Sequence, residues 1–140
     1  MEIRRVLILA SLIASCFATR AYATTLFEEI GGEPKLKAVV EELTVIVLED
    51  ERINFAFAGT DLARFKHLLY TQLCELAAGP CIYDGRSMSE AHSTLSITTA
   101  QFNALAEDLY KAFDRVGVGY RTQNKMMALL VPMQKDVVKR

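Results

Sequence analysis

Apolar residues recur at helical spacing along this chain, and no segment shows convincing strand alternation. Leu62, Phe65, Leu68, Leu69, Leu73 and Leu76 mark one face of a helix, because positions three and four apart lie on the same side at 3.6 residues per turn. Phe102, Leu105, Ala106, Leu109 and Phe113 repeat the pattern, as do Leu36, Val39, Val40, Leu43 and Val47. The β-branched run from Val45 to Val47 weakens that last helix without replacing its period. The boundaries carry chemistry of their own. Leu26 to Ile30 starts helical and stops at Gly31-Gly32, where a tight turn suits residues without a side chain. Glu33-Pro34 opens the next helix, since proline is tolerated in a first turn. Thr60 or Asp61, and Thr98 or Thr99, can cap the helices that follow them. Ala78-Gly79-Pro80 ends one helix, and Gly117 and Gly119 separate another from a last helix through Met126 to Val138, which Pro132 should bend. Ile53 to Phe57 reads as irregular, Cys81 to Ser87 as loop, and Met88 to His92 as one short helix. The expected fold class is all-α.

The N-terminus follows a different logic. Arg4-Arg5 precede an uncharged apolar run, Val6 to Ala14, too short to span a bilayer, and Ala21-Tyr22-Ala23 offers small residues where a signal peptidase cuts. Residues 1–23 are expected to be a signal peptide, and residues 24–140 the single folded domain. A rival reading takes Ile13-Ala14-Ser15-Cys16 as a lipoprotein cleavage box, which would tether the protein to a membrane through Cys16. Either way the expected location is outside the cytoplasm, periplasmic or membrane-tethered. The domain beyond residue 23 keeps 13 basic and 16 acidic side chains, a net charge of about −3. Without a basic patch, nucleic acid is not an expected partner.

Cys74 and Cys81 remain in that domain. On one unbroken helix they would sit ~10 Å apart, too far to bond. Gly79-Pro80 breaks the helix between them, so a disulfide is possible; the alternative is a buried small residue and a loop thiol.

The chain has only two histidines, and His92 lies between two apolar stripes. A lone histidine is most often an ordinary surface or core residue. Zinc asks for about four ligands, which this chain cannot assemble. A single imidazole presented to an apolar space does suit the fifth position of a haem iron.

At this point the chain resembles a group I truncated haemoglobin, from about Leu26 to about Gly117. The resemblance is carried by Leu26-Phe27-Glu28-Glu29-Ile30-Gly31-Gly32, Phe57-Ala58-Gly59-Thr60-Asp61, Gly79-Pro80, Tyr83-Asp84-Gly85-Arg86-Ser87-Met88-Ser89-Glu90-Ala91-His92, and Ile97-Thr98 with Phe102. It implies a two-over-two helical sandwich around haem b. Attachment should be non-covalent, because no Cys-x-x-Cys-His motif occurs. The resemblance implies His92 as the proximal ligand and Phe57 against the haem face. Met88, Ile97 and Phe102 would line the pocket, with Leu105 nearby. On the distal helix Phe65, Leu68, Leu69 and Leu73 would approach the group. Tyr83 and Arg86 would order the proximal loop or meet a propionate. One departure is Ala78, where the family has a glycine.

The distal side departs further. Group I members usually carry a tyrosine and a glutamine that hydrogen-bond oxygen; here those positions read Thr44 and Leu69, beside Phe65. A donor favours dioxygen over the less polar CO and NO by ~1 kcal/mol or more in a dry site. Its loss predicts weaker oxygen retention. Thr44 is short, and a threonine hydroxyl often bonds its own helix backbone. His67 is one residue from the place where some relatives supply a second iron ligand, and one residue turns a helix by ~100°. The leading expectation is a pentacoordinate protein binding O2, CO or NO in an apolar distal pocket. NO, nitrite or peroxide chemistry with an unidentified reductase is the enzymatic alternative. A haem-free helical interaction module is the third.

Overall fold

A computed structural model describes residues 23–139. Among them the chain is all helical. Seven α-helices run in order: α1 Leu26–Ile30, α2 Gly32–Glu49, α3 Leu62–Leu76, α4 Met88–Ala91, α5 Thr99–Val116, α6 Tyr120–Leu130 and α7 Gln134–Val137. Short 3₁₀ turns at Asn54–Phe57 and Val131–Met133 precede α3 and α7. The long helices form a two-over-two sandwich, in which α2 packs on both α3 and α5, and α6 packs on α5. No described helix is long and apolar enough to cross a membrane.

Four of the described helices, α1, α3, α4 and α5, start where a side chain replaces missing partners of their first N–H groups. Thr25 and Glu28 form a reciprocal capping box on α1, Thr98 and Gln101 do so on α5, and the Asp61 side chain accepts from Arg64 N–H on α3. The β-branched run of α2 stays helical because tertiary burial outweighs its propensity. Val39, Val40, Leu43, Ile46 and Val47 are all in the core, with Leu36, Leu73, Ala112, Phe113 and Met126 around them. Pro132 does more than bend the last helix. It sits in the 3₁₀ turn that divides α6 from α7, and the chain then runs back toward α4, ending with Lys139 N–H donating to Ile97 O at 3.0 Å.

The corner after α3 is tight. Ala78 adopts φ 57°, the left-handed region that costs a residue with a Cβ roughly 1–2 kcal/mol. Gly79 N–H closes the turn onto Cys74 O at 2.8 Å. A Cβ on Gly79 would stand 2.7 Å from Cys74 Sγ and 2.8 Å from the Phe27 ring, so only glycine fits. Beyond the corner, Cys81 folds back and is disulfide-bonded to Cys74, with Cα atoms 5.7 Å apart. The pairing left open by the sequence is therefore made, and the alanine at position 78 takes up the left-handed conformation that a glycine would adopt more readily.

Candidate functional site

A cleft with about 70 Å³ of enclosed space, open to solvent, lies between the 3₁₀ turn before α3, the start of α5, and the segment from His92 to Ile97. Its walls are Ile53, Ala56, Phe57, Leu95, Ile97, Phe102, Leu105 and Val137, and its polar groups are His92 and Gln101. The sequence reading brought Phe57, His92, Ile97, Phe102 and Leu105 here. It missed Ile53 and Leu95, and with them Ala56, Gln101 and Val137. The first two lie in segments without helical period, and Val137 arrives only because Pro132 turns the chain back.

His92 is held in one tautomer. It ends α4, and its Nδ1 lies 2.8 Å from Met88 O, the same carbonyl that accepts its backbone N–H at 3.1 Å. A carbonyl can only accept, so Nδ1 carries a proton and, in the neutral ring, Nε2 presents a free lone pair. This is the usual support of a metal-bound imidazole. α4 is a single turn, too short to persist alone. Ser87 and Glu90 cap it reciprocally, Glu90 N–H donating to Ser87 Oγ at 3.3 Å and Ser87 N–H to Glu90 Oε2 at 3.0 Å. The Ser87 side-chain hydrogen bond, then the backbone one, holds the Glu90 carboxyl below its ordinary range.

The loop before α4 is ordered by Tyr83. Its hydroxyl donates to Arg86 O at 2.8 Å, and its ring covers Gly85, where a Cβ would collide with it. Burial pushes the phenol up from its usual value. The Arg86 side chain stands exposed.

Helix α3 has two working faces. Thr71, Leu73, Cys74 and the following Ala77 are buried in the core. Leu62, Phe65, Leu69, Gln72 and Leu76 form a second stripe that is only half-buried. That stripe faces the cleft side. Phe65 meets the cleft residue Phe57 edge-to-face, ring centroids 5.2 Å apart, and the Gln72 amide reaches Met88 on α4 at 3.2 Å. Large apolar side chains left half-covered between tightly packed helices are what an apolar guest would cover. A free Nε2, an apolar wall and half-covered stripes together fit a haem. Among the described residues no group of three His, Cys, Asp or Glu side chains converges as a metal cage, so the cleft has one strong donor and not four.

The remaining sequence-derived residues divide. Met88 and Leu68 are both half-buried, and Met88 is tied to the site through the His92 ring. Leu73, expected to approach the group, is instead 1% exposed in the core, because it sits on the other face of α3. Thr44 is buried on α2 and its hydroxyl donates to Val40 O at 2.7 Å. His67 is exposed in a groove on the outer side of α2 and α3 with Lys37, Glu41, Lys66 and Tyr70, so the fold does not bring it to the side of α3 that faces His92. Gln72 was not singled out from the sequence. Its signal was there: a polar residue interrupting an apolar stripe.

The family described as bacterial-like globin matches residues 25–139. A group 1 truncated hemoglobin of Nostoc sp. is 36% identical over 95 residues, 68% of this chain and 80% of its own length. One from Tetrahymena pyriformis is 31% identical over 114 residues, 81% of this chain and 94% of its own. The ferric structure of the Tetrahymena pyriformis protein superposes with a TM-score of 0.80 at 30% identity, covering 83% of this chain and 99% of that one. The 2/2 hemoglobin of Synechococcus sp., solved in the cyanomet state with covalently attached heme, gives 0.77 over the same shares, also at 30%. This chain therefore belongs to the bacterial-like globins, among the group 1 truncated hemoglobins.

Proposed function

We propose that this protein binds protohaem (haem b) non-covalently, with His92 as the axial ligand, and takes up small diatomic gases on the opposite face. The single observation that carries the reading is the Nδ1–H of His92 donating to Met88 O, which leaves Nε2 free toward an apolar cleft. When bound, haem supplies an iron whose sixth position can take O2, CO or NO. The chain's own residues exclude water and grip the ring: Phe57, Ile97, Phe102 and Leu105 from the cleft wall, Phe65 and Leu69 from α3. The α3 stripe facing the cleft carries no imidazole, so a haem held there would keep its sixth position open to a gas. Thr44 cannot serve as a strong donor while its proton is committed to Val40 O. The site accordingly favours CO and NO relative to oxygen. Arg86, exposed beside the Tyr83-ordered turn, is the cation assigned to a propionate.

The same reading takes the protein out of the cytoplasm. The sequence of residues 1–23 has the signal pattern, and the Cys74–Cys81 bond suits an oxidising compartment. Cell fractionation decides this. Recovery in the soluble periplasm supports it, recovery with membranes moves the anchor to Cys16, and cytoplasmic protein with reduced thiols refutes export.

The decisive experiment is an optical spectrum of residues 24–140 with haem, ferric and dithionite-reduced. A strong Soret band that His92→Gly abolishes, and that added imidazole restores, is expected. A single broad visible band after reduction indicates the open sixth position, whereas sharp split bands would replace it with an internal ligand. No haem uptake would refute the reading.

A further inference from the structure

Gln72 breaks the apolar stripe of α3, whose other members, Leu62, Phe65, Leu69 and Leu76, carry no polar side-chain atom. A local rule broken in an otherwise consistent pattern marks a task. The Gln72 Nε2 lies 3.2 Å from Met88 Sδ and 3.8 Å from Met133 Sδ. A thioether has no proton to give, so the amide N–H groups must point at the sulfurs. One side chain thus gathers α3, α4 and the turn that Pro132 makes before α7. Met88 is also the residue whose carbonyl accepts both the backbone N–H and the Nδ1–H of His92. α4 has four residues, and its attachments to the rest of the fold are few: this clasp and its packing against α7.

We propose that Gln72 is a positioning residue, whose amide clasps the Met88 thioether from α3 and so fixes the turn that aims His92 Nε2 into the cleft. What His92 then binds rests on the function proposed above; the clasp is a property of the polypeptide alone. A hydrogen bond of this kind is a modest one, so its loss should loosen α4 by about two- to fivefold and leave the fold intact.

The test is amide hydrogen exchange of the apo-protein, combined with the rate of haem loss to an apo-globin acceptor. Gln72→Leu keeps the stripe apolar, and Met88→Leu removes the acceptor while keeping volume. Each should speed exchange at Ala91 and His92 about two- to fivefold, with α2 and α5 amides unchanged, and the double variant should go no further than either alone. Haem loss should quicken by a similar factor. Unchanged exchange in α4, or effects that multiply independently, would overturn the clasp. Faster haem loss with unchanged α4 exchange would also overturn it, by making Gln72 a direct haem contact. Should the wild type take up no haem, the exchange arm still decides the clasp, and the failure falls on the proposed function.

Discussion

Breaking the bond between Cys74 and Cys81 is the perturbation whose size the structure fixes best. The bond joins residues seven apart in sequence. Loop-closure entropy for a ring of that size amounts to about 2.4 kcal/mol at 25 °C. With an unfolding entropy of ~2.1 cal/mol/K per residue, a domain of this length should lose about 10 °C in Tm. The bond also secures the corner at which Ala78 is held at φ 57°. The assay is thermal unfolding, with urea unfolding beside it, of the haem-free domain from Thr24, run oxidised, reduced, and as the Cys74→Ala/Cys81→Ala variant. The Cys74 side chain is fully buried, so the alanine variant loses some packing as well. The reduced wild type isolates the covalent contribution. Identical midpoints for oxidised and reduced wild type would refute the reasoning, as would two titratable thiols in the oxidised, unfolded protein.

The other predictions test separate parts of the argument. Gly79→Ala should destabilise the domain by about 1–3 kcal/mol in urea melts, because the added Cβ meets both Cys74 Sγ and the Phe27 ring. Thr44→Val should leave the oxygen dissociation rate within about twofold of wild type in stopped-flow measurements, since the hydroxyl already donates to Val40 O. Asp50 is held well below the ordinary carboxylate range, first by the side-chain hydrogen bond from Arg52 and then by its backbone N–H. A depressed native pKa stabilises above the unfolded value of about 3.9 and is lost as pH falls through the folded one. Asp50→Asn should therefore cost most near neutral pH, and the gap should close in urea melts as pH drops below ~4. Its neighbour Asp108 runs the opposite way: burial raises its pKa, which favours the fold below the unfolded value and loses that advantage as pH rises through the folded one.

Legibility followed the physics of period and capping. The apolar repeats of α2, α3 and α5 were readable because each helix buries one face; the caps were readable to within a pair, Thr60 or Asp61 and Thr98 or Thr99, of which Asp61 and Thr98 do the capping. His92 stood out by rarity and by its neighbours. The internal allocation of α3 was not readable. Leu69 and Leu73 are one turn apart and equally apolar, yet Leu69 stays half-exposed in line with Phe65 and Gln72 and Leu73 is core. Periodicity finds a stripe but cannot divide a wide one between a protein partner and a guest. Val137 was hidden for another reason: its place in the cleft depends on how far the 3₁₀ turn at Pro132 redirects the chain, which no local pattern encodes.

That division of α3 has an energetic consequence. Core residues such as Leu36, Leu73 and Phe113 are at or near zero exposure, whereas Phe57, Phe65, Leu69, Phe102 and Leu105 remain partly exposed along one continuous side. Each partly exposed side chain has realised only part of the ~1.5–3 kcal/mol available from full burial. A guest that covers them together supplies what the helices leave undone. It binds the folded chain and not the unfolded one, so it must stabilise the fold by mass action, about 2.7 kcal/mol at a hundredfold excess over Kd. The attachment of α4 makes this coupling specific. The turn that carries His92 is held by a reciprocal cap, by one amide on one thioether, and by α7 folded beneath it. Those contacts suffice to aim an imidazole but leave α4 less firmly embedded than α2 or α5. Exchange protection gained on haem binding should accordingly be largest at α4 and the adjoining loop, and small in α2 and α5. Uniform protection across all helices would place the guest's contribution in global stability alone, and would remove the argument that the cleft completes a locally unfinished site.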